Sequence, residues 1–506
     1  MTSEQGSIPV TAPSSEQDDI AALAKGGRAN IFGFLLRLAA RLPFIFIATR
    51  FYGASVLGRF AYAVLIVELA AQLATLGLKR GLAEELAQGK RPQSHVVADA
   101  LLVCLIGCGA TSALLMVFPE AMFPNSGING LDRLFPLIIF AIALADVALA
   151  ACAYHYNIAA SVRARSIVEP WTISIAAGAF YFYSERDGLI LAYVTAMLAA
   201  LIASLWPMMR HYGLPRGWTP HPAELWRTIR RNLPLAGADA VEWGTRRLDF
   251  VILGLFATPY VAGIYYAAQQ VASLPQKLKT SFEPILAPVI SRNVAAGNLS
   301  AIGRHVTQVG FWIVAAQLGI ALALGIPGEA LMGLFGPNFV GGTGALAALL
   351  AAEVLAAPAV VSEAALVYLA RYRNMLISLA TIMLQGVLTI ILMKTGEGMA
   401  LPPLYTAAMP AIALAFALAI GAGAKTLLLG HLCGEHIGIW RGSLVLVGGC
   451  GAVVGIAFTW LPHSLEWAEL LIGIPAILAV YCAVIWTVGF GPVDRALLRK
   501  RSFIES

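Results

Sequence analysis

Arg246-Arg-Leu-Asp-Phe-Val-Ile-Leu-Gly-Leu-Phe-Ala-Thr-Pro-Tyr-Val-Ala-Gly-Ile-Tyr-Tyr-Ala-Ala268 sets two arginines and an aspartate inside an apolar run that begins near Leu233. The run reads as a helix to Phe256, a tight turn at Thr258-Pro259, and a second apolar helix beyond it. An earlier stretch has the same plan: Arg41-Leu-Pro-Phe-Ile-Phe-Ile-Ala-Thr-Arg-Phe-Tyr-Gly-Ala-Ser-Val-Leu-Gly58, then Arg59-Phe-Ala-Tyr-Ala63. Arg41, Leu42 and Phe44 fall on Arg247, Leu248 and Phe250. With one residue of slippage in the turn, Gly58 falls on Gly263. The chain therefore reads as two related halves, each carrying arginine at membrane depth in its first helix.

Composition fixes the solvent. Hydrophobic residues make up 59% of the chain and charged residues 12%, with a mean hydropathy of +0.77. Soluble domains carry about a quarter charged residues, so this is an integral membrane chain. Its apolar segments run about 20 residues, the length a helix needs to cross the hydrocarbon core, which excludes a β-barrel pattern. The net charge of +6 sits at helix ends and reflects orientation, not nucleic-acid binding. Cys104, Cys108, Cys152, Cys450 and Cys482 lie in apolar helices, where a thiol behaves as a small core residue. His431, Cys433, Glu435 and His436 share a short loop, but their spacing matches no zinc pattern. Neither a metal nor a cofactor is expected.

Taken in order, residues 1–24 read as a disordered cytoplasmic tail, without the apolar core of a signal peptide. An N-lobe of six helices spans 25–209, a basic cytoplasmic linker 210–232, and a C-lobe of six helices 233–424. Two further helices fill 425–490 and a basic cytoplasmic tail 491–506. The fold class is an all-α polytopic membrane protein of about fourteen spans. Loops on one side hold most of the basic residues, among them Lys79, Arg80, Arg91, Arg165, Arg231 and Lys425. Opposite loops hold only Arg50, Arg59, Arg133, Arg186 and Lys394. That asymmetry puts both termini in the cytoplasm.

Charges inside the spans carry the functional reading. Arg37 and Arg41 are one turn apart and share a face. Arg246 and Arg247 lie about 13 residues, or ~20 Å, into the matching helix. Four arginines facing lipid would cost roughly 10–14 kcal/mol, so interior or water-lined positions follow. Asp239, Glu242, Arg246 and Asp249 form one helical stripe of alternating sign. Gln269, Ser273, Gln276, Thr280 and Glu283 repeat that rhythm on the next helix, and Glu68 with Gln72 marks a polar face on the second. Two lobes meeting around an aqueous midplane cavity would gather these groups.

Alternatives stand beside this. Arg246 has Glu242 and Asp249 one turn away and can serve as a structural pair. Arg37, Arg41 and Arg247 have no such neighbour, and a guanidinium fork suits phosphate. Lys277 and Lys279 read as snorkelling to the interface. Asp239, Glu242, Glu353, Glu363 and Asp146 are intramembrane acids that could carry a coupling ion or hydrogen-bond between helices. Pro275, Pro284 and Pro288 interrupt the eighth helix, as Pro402, Pro403 and Pro410 mark the twelfth. Gly451 and Gly455 form a GxxxG in the thirteenth helix, a helix-packing face.

The residues Arg41–Ala63, with Tyr52-Gly53, Leu57-Gly58-Arg59-Phe60 and the later Leu76-Gly77-Leu78, resemble the N-terminal signature of bacterial polysaccharide transporters. Arg247–Asp249, Val261-Ala262-Gly263-Ile264-Tyr265 and Pro275 resemble the signature of their second lobe. These are O-antigen and exopolysaccharide (Wzx-like) flippases of the multidrug/oligosaccharidyl-lipid/polysaccharide exporter superfamily. The resemblance implies alternating access between the lobes in the bacterial inner membrane. The substrate would be a polyprenyl-pyrophosphate-linked oligosaccharide, its pyrophosphate held by Arg37, Arg41, Arg246 and Arg247. The polar groups Glu68, Asp249, Gln269 and Gln276 would hold sugar. It implies membrane lipids as neighbours, contact with polysaccharide polymerase or glycosyltransferase machinery, and a monomer.

A peptidoglycan lipid-precursor flippase and a multidrug exporter share that architecture, though the exporters bind cations. A membrane polysaccharide polymerase or ligase would need a sizeable outward loop, which this chain lacks. With no P-loop, nucleophile elbow or HExxH helix, the sequence reads as a transporter and not an enzyme.

Overall fold

The computed structural model of the chain describes residues 42–89, 91–280, 290, 293, 294, 297–399, 401–462, 465–491, 494 and 495. Helix follows helix through these residues, and none of them forms a strand. A membrane imposes this, because each backbone N–H and C=O must find its partner without water. Nine stretches of the described residues are long and apolar enough to cross a membrane. Shorter or more polar helices complete the bundle, and the all-α polytopic class holds.

In the first lobe a π turn, Ala48–Tyr52, leads into α1 (Gly53–Ala74). There follow α2 (Leu78–Ala87), α3 (Gln93–Val117), α4 (Ile138–Tyr154), α5 (Glu169–Tyr181) and α6 (Gly188–Tyr212). The second lobe has α7 (Pro222–Phe256), α8 (Pro259–Thr280), α9 (Leu299–Gly325), α10 (Thr343–Leu369), α11 (Arg371–Gly398) and α12 (Pro403–Cys433). Two more helices follow, α13 (Ser443–Thr459) and α14 (Ile474–Val484).

Local sequence explains several of these boundaries. Leu76 and Gly77 both take positive φ, 49° and 76°, and that reversal ends α1 and starts α2. α2 is amphipathic: Leu78, Leu82 and Leu86 are buried, while Lys79, Arg80 and Glu84 are exposed. The basic stretch 210–232 is mostly helical. Non-helical chain is confined to 213–221, and Pro222 opens α7 at a position where its missing N–H costs nothing. α7 has 35 residues, a length of about 52 Å at 1.5 Å per residue. The hydrocarbon core is only ~30 Å thick, so one end of α7 stands clear of it. At the other end of the C-lobe, the stretch around 424 lies inside α12, which continues to Cys433.

The halves meet along α1 and α8. Apolar side chains from α1, α3, α4, α6, α8 and α10 form one continuous core. A second core joins α9, α10 and α12 to α13 and α14. Tyr481 of α14 packs over Gly319 of α9 and donates its hydroxyl to the Ala315 carbonyl at 2.6 Å. α11 contributes an outward row of Met375, Leu379, Met383, Val387 and Ile391, the surface expected against acyl chains.

Candidate functional site

A cavity of about 530 Å³ lies inside the first lobe. α1 supplies Glu68 and Gln72, α4 supplies Ile142 and Asp146, and α6 supplies Tyr193 and Met197. Ser161, Arg165 and Glu169 come from the helical segment that leads into α5. Lys79 of α2 closes one side, and among the described residues Trp243 of α7 is the single wall residue from the second lobe. The chamber runs from Glu68 and Tyr193 toward the side that carries the basic residues.

Its charges are ordered. Arg165 bonds the carboxylates of Asp146 and Glu169, the latter at 2.9 Å. Lys79 reaches Asp146 at 3.9 Å. Tyr193 donates to Glu68 at 3.3 Å. Glu68 thus has one neutral donor where its neighbours have cations. The indole N–H of Trp243 is buried and has no hydrogen-bond partner among the described residues.

The sequence reading set Arg165 and Lys79 in loops, and the structure corrects this. Arg165 lies in a π-helical turn, Val162–Val168, that continues into α5. The Arg165–Glu169 spacing of four was a readable ion-pair signal. Asp146, alone in an apolar helix, was the acid that needed this partner. Lys425 is corrected in the same way: it is buried in α12 and pairs with Glu363 of α10 at 2.9 Å. So is Arg59, a buried residue of α1 bound to Asp132 and, at 3.5 Å, to Asp187. Phe123 covers its guanidinium at 4.6 Å.

The residues expected to gather at the midplane divide into groups. Arg37, Arg41 and the side chain of Gln276 lie outside the described residues. Arg247 is half-buried and within electrostatic reach of both Glu68 and Asp249, with no hydrogen bond or ion pair to another described residue. Arg246 is exposed and pairs with Glu242 at 3.1 Å, the structural alternative weighed for it. Asp249 does not face the chamber. It is buried between α7 and α8, accepting from the Tyr265 hydroxyl at 2.5 Å and from Gln269 at 3.3 Å. Asp239 and Glu242 are both held by Arg80, at 2.8 Å and 2.5 Å. Glu353 is half-buried on α10.

Arg80 belongs to a polar seam between α2 and α7 on the basic side. Arg231 bonds Glu84, and Asn232 donates to Glu85 at 2.7 Å. Arg91 adds contacts to Asp99 at 2.7 Å and to Glu224 at 3.7 Å. On the opposite side the lobes touch through Gly58 and Gly263, and Arg50 donates across to the carbonyls of Leu334 at 2.9 Å and Gly333 at 3.2 Å. Tyr62 also donates there to the Val251 carbonyl at 3.3 Å. The chamber lies between these two closures.

Comparison with known proteins supplies the family. A family model described as "Polysaccharide biosynthesis protein" matches residues 29–294. No curated protein matches. One similar solved structure is "Lipid II flippase MurJ, inward closed conformation", 13% identical, with a TM-score of 0.66 over 90% of this chain and 99% of that one. An inward-facing multidrug resistance MATE family transporter of the MOP superfamily is 13% identical, with a TM-score of 0.61 over 79% and 98%. A MOP superfamily transporter from Pyrococcus furiosus is 13% identical, with a TM-score of 0.53 over 83% and 96%. At such identities the likeness concerns the fold. The family match covers the whole first lobe and the α7–α8 pair, more than half of the sequence, and the chain belongs to the polysaccharide biosynthesis protein family, built on the fold of MOP superfamily transporters.

Proposed function

We propose that the chain is a flippase for polyprenyl-pyrophosphate-linked oligosaccharide repeat units. It moves them across the bacterial inner membrane by alternating access, for O-antigen, capsule or exopolysaccharide assembly. The observation that carries this reading is Arg247. It is a half-buried guanidinium at membrane depth, within electrostatic reach of Glu68, which lines a polar chamber. A cation at that depth costs about 2.5–3.5 kcal/mol even on the gentlest scale, and a bound pyrophosphate would offset it. Sugars and two phosphates cannot cross hydrocarbon unaided, so a shielded polar chamber with arginine within electrostatic reach of its wall meets the physical need.

In this reading Arg37 and Arg41 join Arg247 at the pyrophosphate, and the lipid tail stays in the bilayer. The basic side is cytoplasmic, both termini lie there, and the transporter works as a monomer beside polymerase or glycosyltransferase machinery. The chain does no chemistry on its cargo. A second reading, a peptidoglycan lipid-precursor flippase, is favoured by the fold likeness to a lipid II flippase, which extends over 90% of this chain.

Complementation of strains lacking either native flippase separates the two readings and tests the binding role. Wild type should restore surface polysaccharide and not peptidoglycan synthesis. The expressed Arg41→Ala/Arg247→Ala double variant should leave lipid-linked units facing the cytoplasm. Normal surface polysaccharide from that variant would remove the role given to these arginines.

A further inference from the structure

The chamber holds more chemistry than a phosphate site needs. Among its wall residues are three carboxylates, Glu68, Asp146 and Glu169, against two bases, Lys79 and Arg165. Both bases are already engaged: Arg165 by Asp146 and Glu169, and Lys79 by Asp146. Glu68 has Tyr193 as its hydrogen-bond donor and Arg247 within electrostatic reach, but no ion pair among the described residues. Trp243 of the other lobe lines the same chamber with a broad apolar ring.

An aromatic face and a carboxylate with acceptor capacity to spare suit a pyranose. The ring's C–H face stacks on indole. Its hydroxyls donate to the carboxylate in charge-assisted hydrogen bonds. The volume, about 530 Å³, falls in the ~300–1,000 Å³ range of small-ligand sites. In the flippase reading the phosphate joined to such a sugar falls to Arg247, which is within electrostatic reach of Glu68.

We propose that the first-lobe chamber is the sugar subsite of the transporter, with Trp243 as its stacking platform and Glu68 as its hydroxyl acceptor. Its surplus carboxylate selects repeat units whose sugars are neutral or bear a protonated amine over those carrying a uronate. This rests on the flippase reading above and names its substrate class. Like charges brought together in a desolvated site are rejected, which is how specificity arises without new attractive contacts.

The test uses the full-length chain in lipid nanodiscs and three synthetic probes. These are polyprenyl pyrophosphate alone, the same lipid bearing a neutral disaccharide, and the same lipid bearing a disaccharide with one uronate. Wild type should bind the neutral glycolipid about tenfold tighter than the uronate one. Glu68→Gln should narrow that ratio to about twofold. Trp243→Ala should weaken both glycolipids about tenfold and leave the bare lipid unchanged, and Trp243→Tyr should restore most of the loss. Arg247→Ala should weaken all three probes alike.

Equal affinity of wild type for the two glycolipids would overturn the selection. Loss of bare-lipid binding in Trp243→Ala would overturn the sugar role of the chamber. Either result leaves the flippase reading intact. Failure of all three probes to bind wild type would sink that reading and this one together.

Discussion

Gly58 of α1 and Gly263 of α8, equivalent positions in the two halves, press against each other where the lobes meet. A Cβ on Gly58 would lie 1.8 Å from the Pro259 carbonyl oxygen and 2.5 Å from the Gly263 nitrogen. A Cβ on Gly263 would lie 1.9 Å from the Ala54 carbonyl oxygen. The obstructing atoms are backbone, so no side chain can swing aside.

Gly58→Ala and Gly263→Ala should therefore each force α1 and α8 apart. The expected cost to the state described here is about 1–3 kcal/mol, as for overpacked cores. A lowered thermal midpoint in detergent, with faster thiol labelling of a cysteine placed at Ala54, would report it. Wild-type behaviour in both measurements would mean that the contact is looser than its geometry indicates.

The Asp146–Arg165–Glu169 triad is a positioning device inside the chamber. Arg165→Ala leaves two carboxylates without their shared cation and should cost about 3 kcal/mol, the low end for breaking a buried pair. Asp146→Asn added to Arg165→Ala should cost clearly less than the two single losses combined, because the groups share one network. Simple additivity in a double-mutant cycle would show that the triad is not coupled.

The seam on the basic side turns on Arg80, which is half exposed and bridges Asp239 and Glu242. The exposed pair with Glu242 is worth about 0–1 kcal/mol, and the pair with the buried Asp239 is worth more. Arg80→Ala should thus raise the labelling rate of a cysteine at Leu235 by about tenfold. Arg80→Glu, which opposes both acids, should raise it further. Restoring contact with Asp239→Lys on the Arg80→Glu background should return the rate toward wild type. No change in any variant would place the closure elsewhere.

Asp494 ties the end of the chain to α9 and to the α12–α13 connection. It accepts from Arg441 and the Gly491 N–H at 2.9 Å each, from the Trp312 indole at 2.9 Å and from Gln308 at 3.3 Å. Burial alone would raise its pKa. The hydrogen bonds from Arg441, Gly491, Trp312 and Gln308 outweigh that and hold the carboxyl below the ordinary aspartate value. A depressed folded pKa contributes stability above the unfolded value, about 3.9, and that contribution is lost as pH falls through the folded value. Asp494→Asn should therefore melt earlier than wild type at neutral pH, with the gap closing below about pH 4. A gap independent of pH would mean that the carboxylate charge is not what holds the tail.

Much of the fold was legible because a membrane leaves few options. Apolar runs of spanning length, broken at Thr258-Pro259 and Gly336-Pro337, located the helices, and the repeated arginine-to-glycine stretches identified the halves. Those stretches also aligned Gly58 with Gly263, although nothing in one dimension said that the two would touch. The site was less legible. Charge in a short polar break looks like a loop, so Arg165, Arg59 and Lys425 were assigned to the surface when each reaches back into its lobe. The stripe on α7 was correct as a period, but a period does not say which neighbour it meets. Asp249 turned to Tyr265, Asp239 to Arg80, and the cavity formed on the other lobe around Glu68. Trp243 was invisible among apolar residues because its importance lies in the chamber it lines.

α7 changes what the connection between the lobes can do. The connection is a short non-helical stretch, 213–221, and then one long helix with Pro234 inside it, not a slack string. Any rotation of the membrane-embedded half must sweep the projecting end through an arc, dragging Glu224, Arg227 and Arg231 across the surface of the first lobe. Whatever grips that projecting end, including a neighbouring protein at the water boundary, acts as a hand on a lever and sets the angle at which the two halves stand.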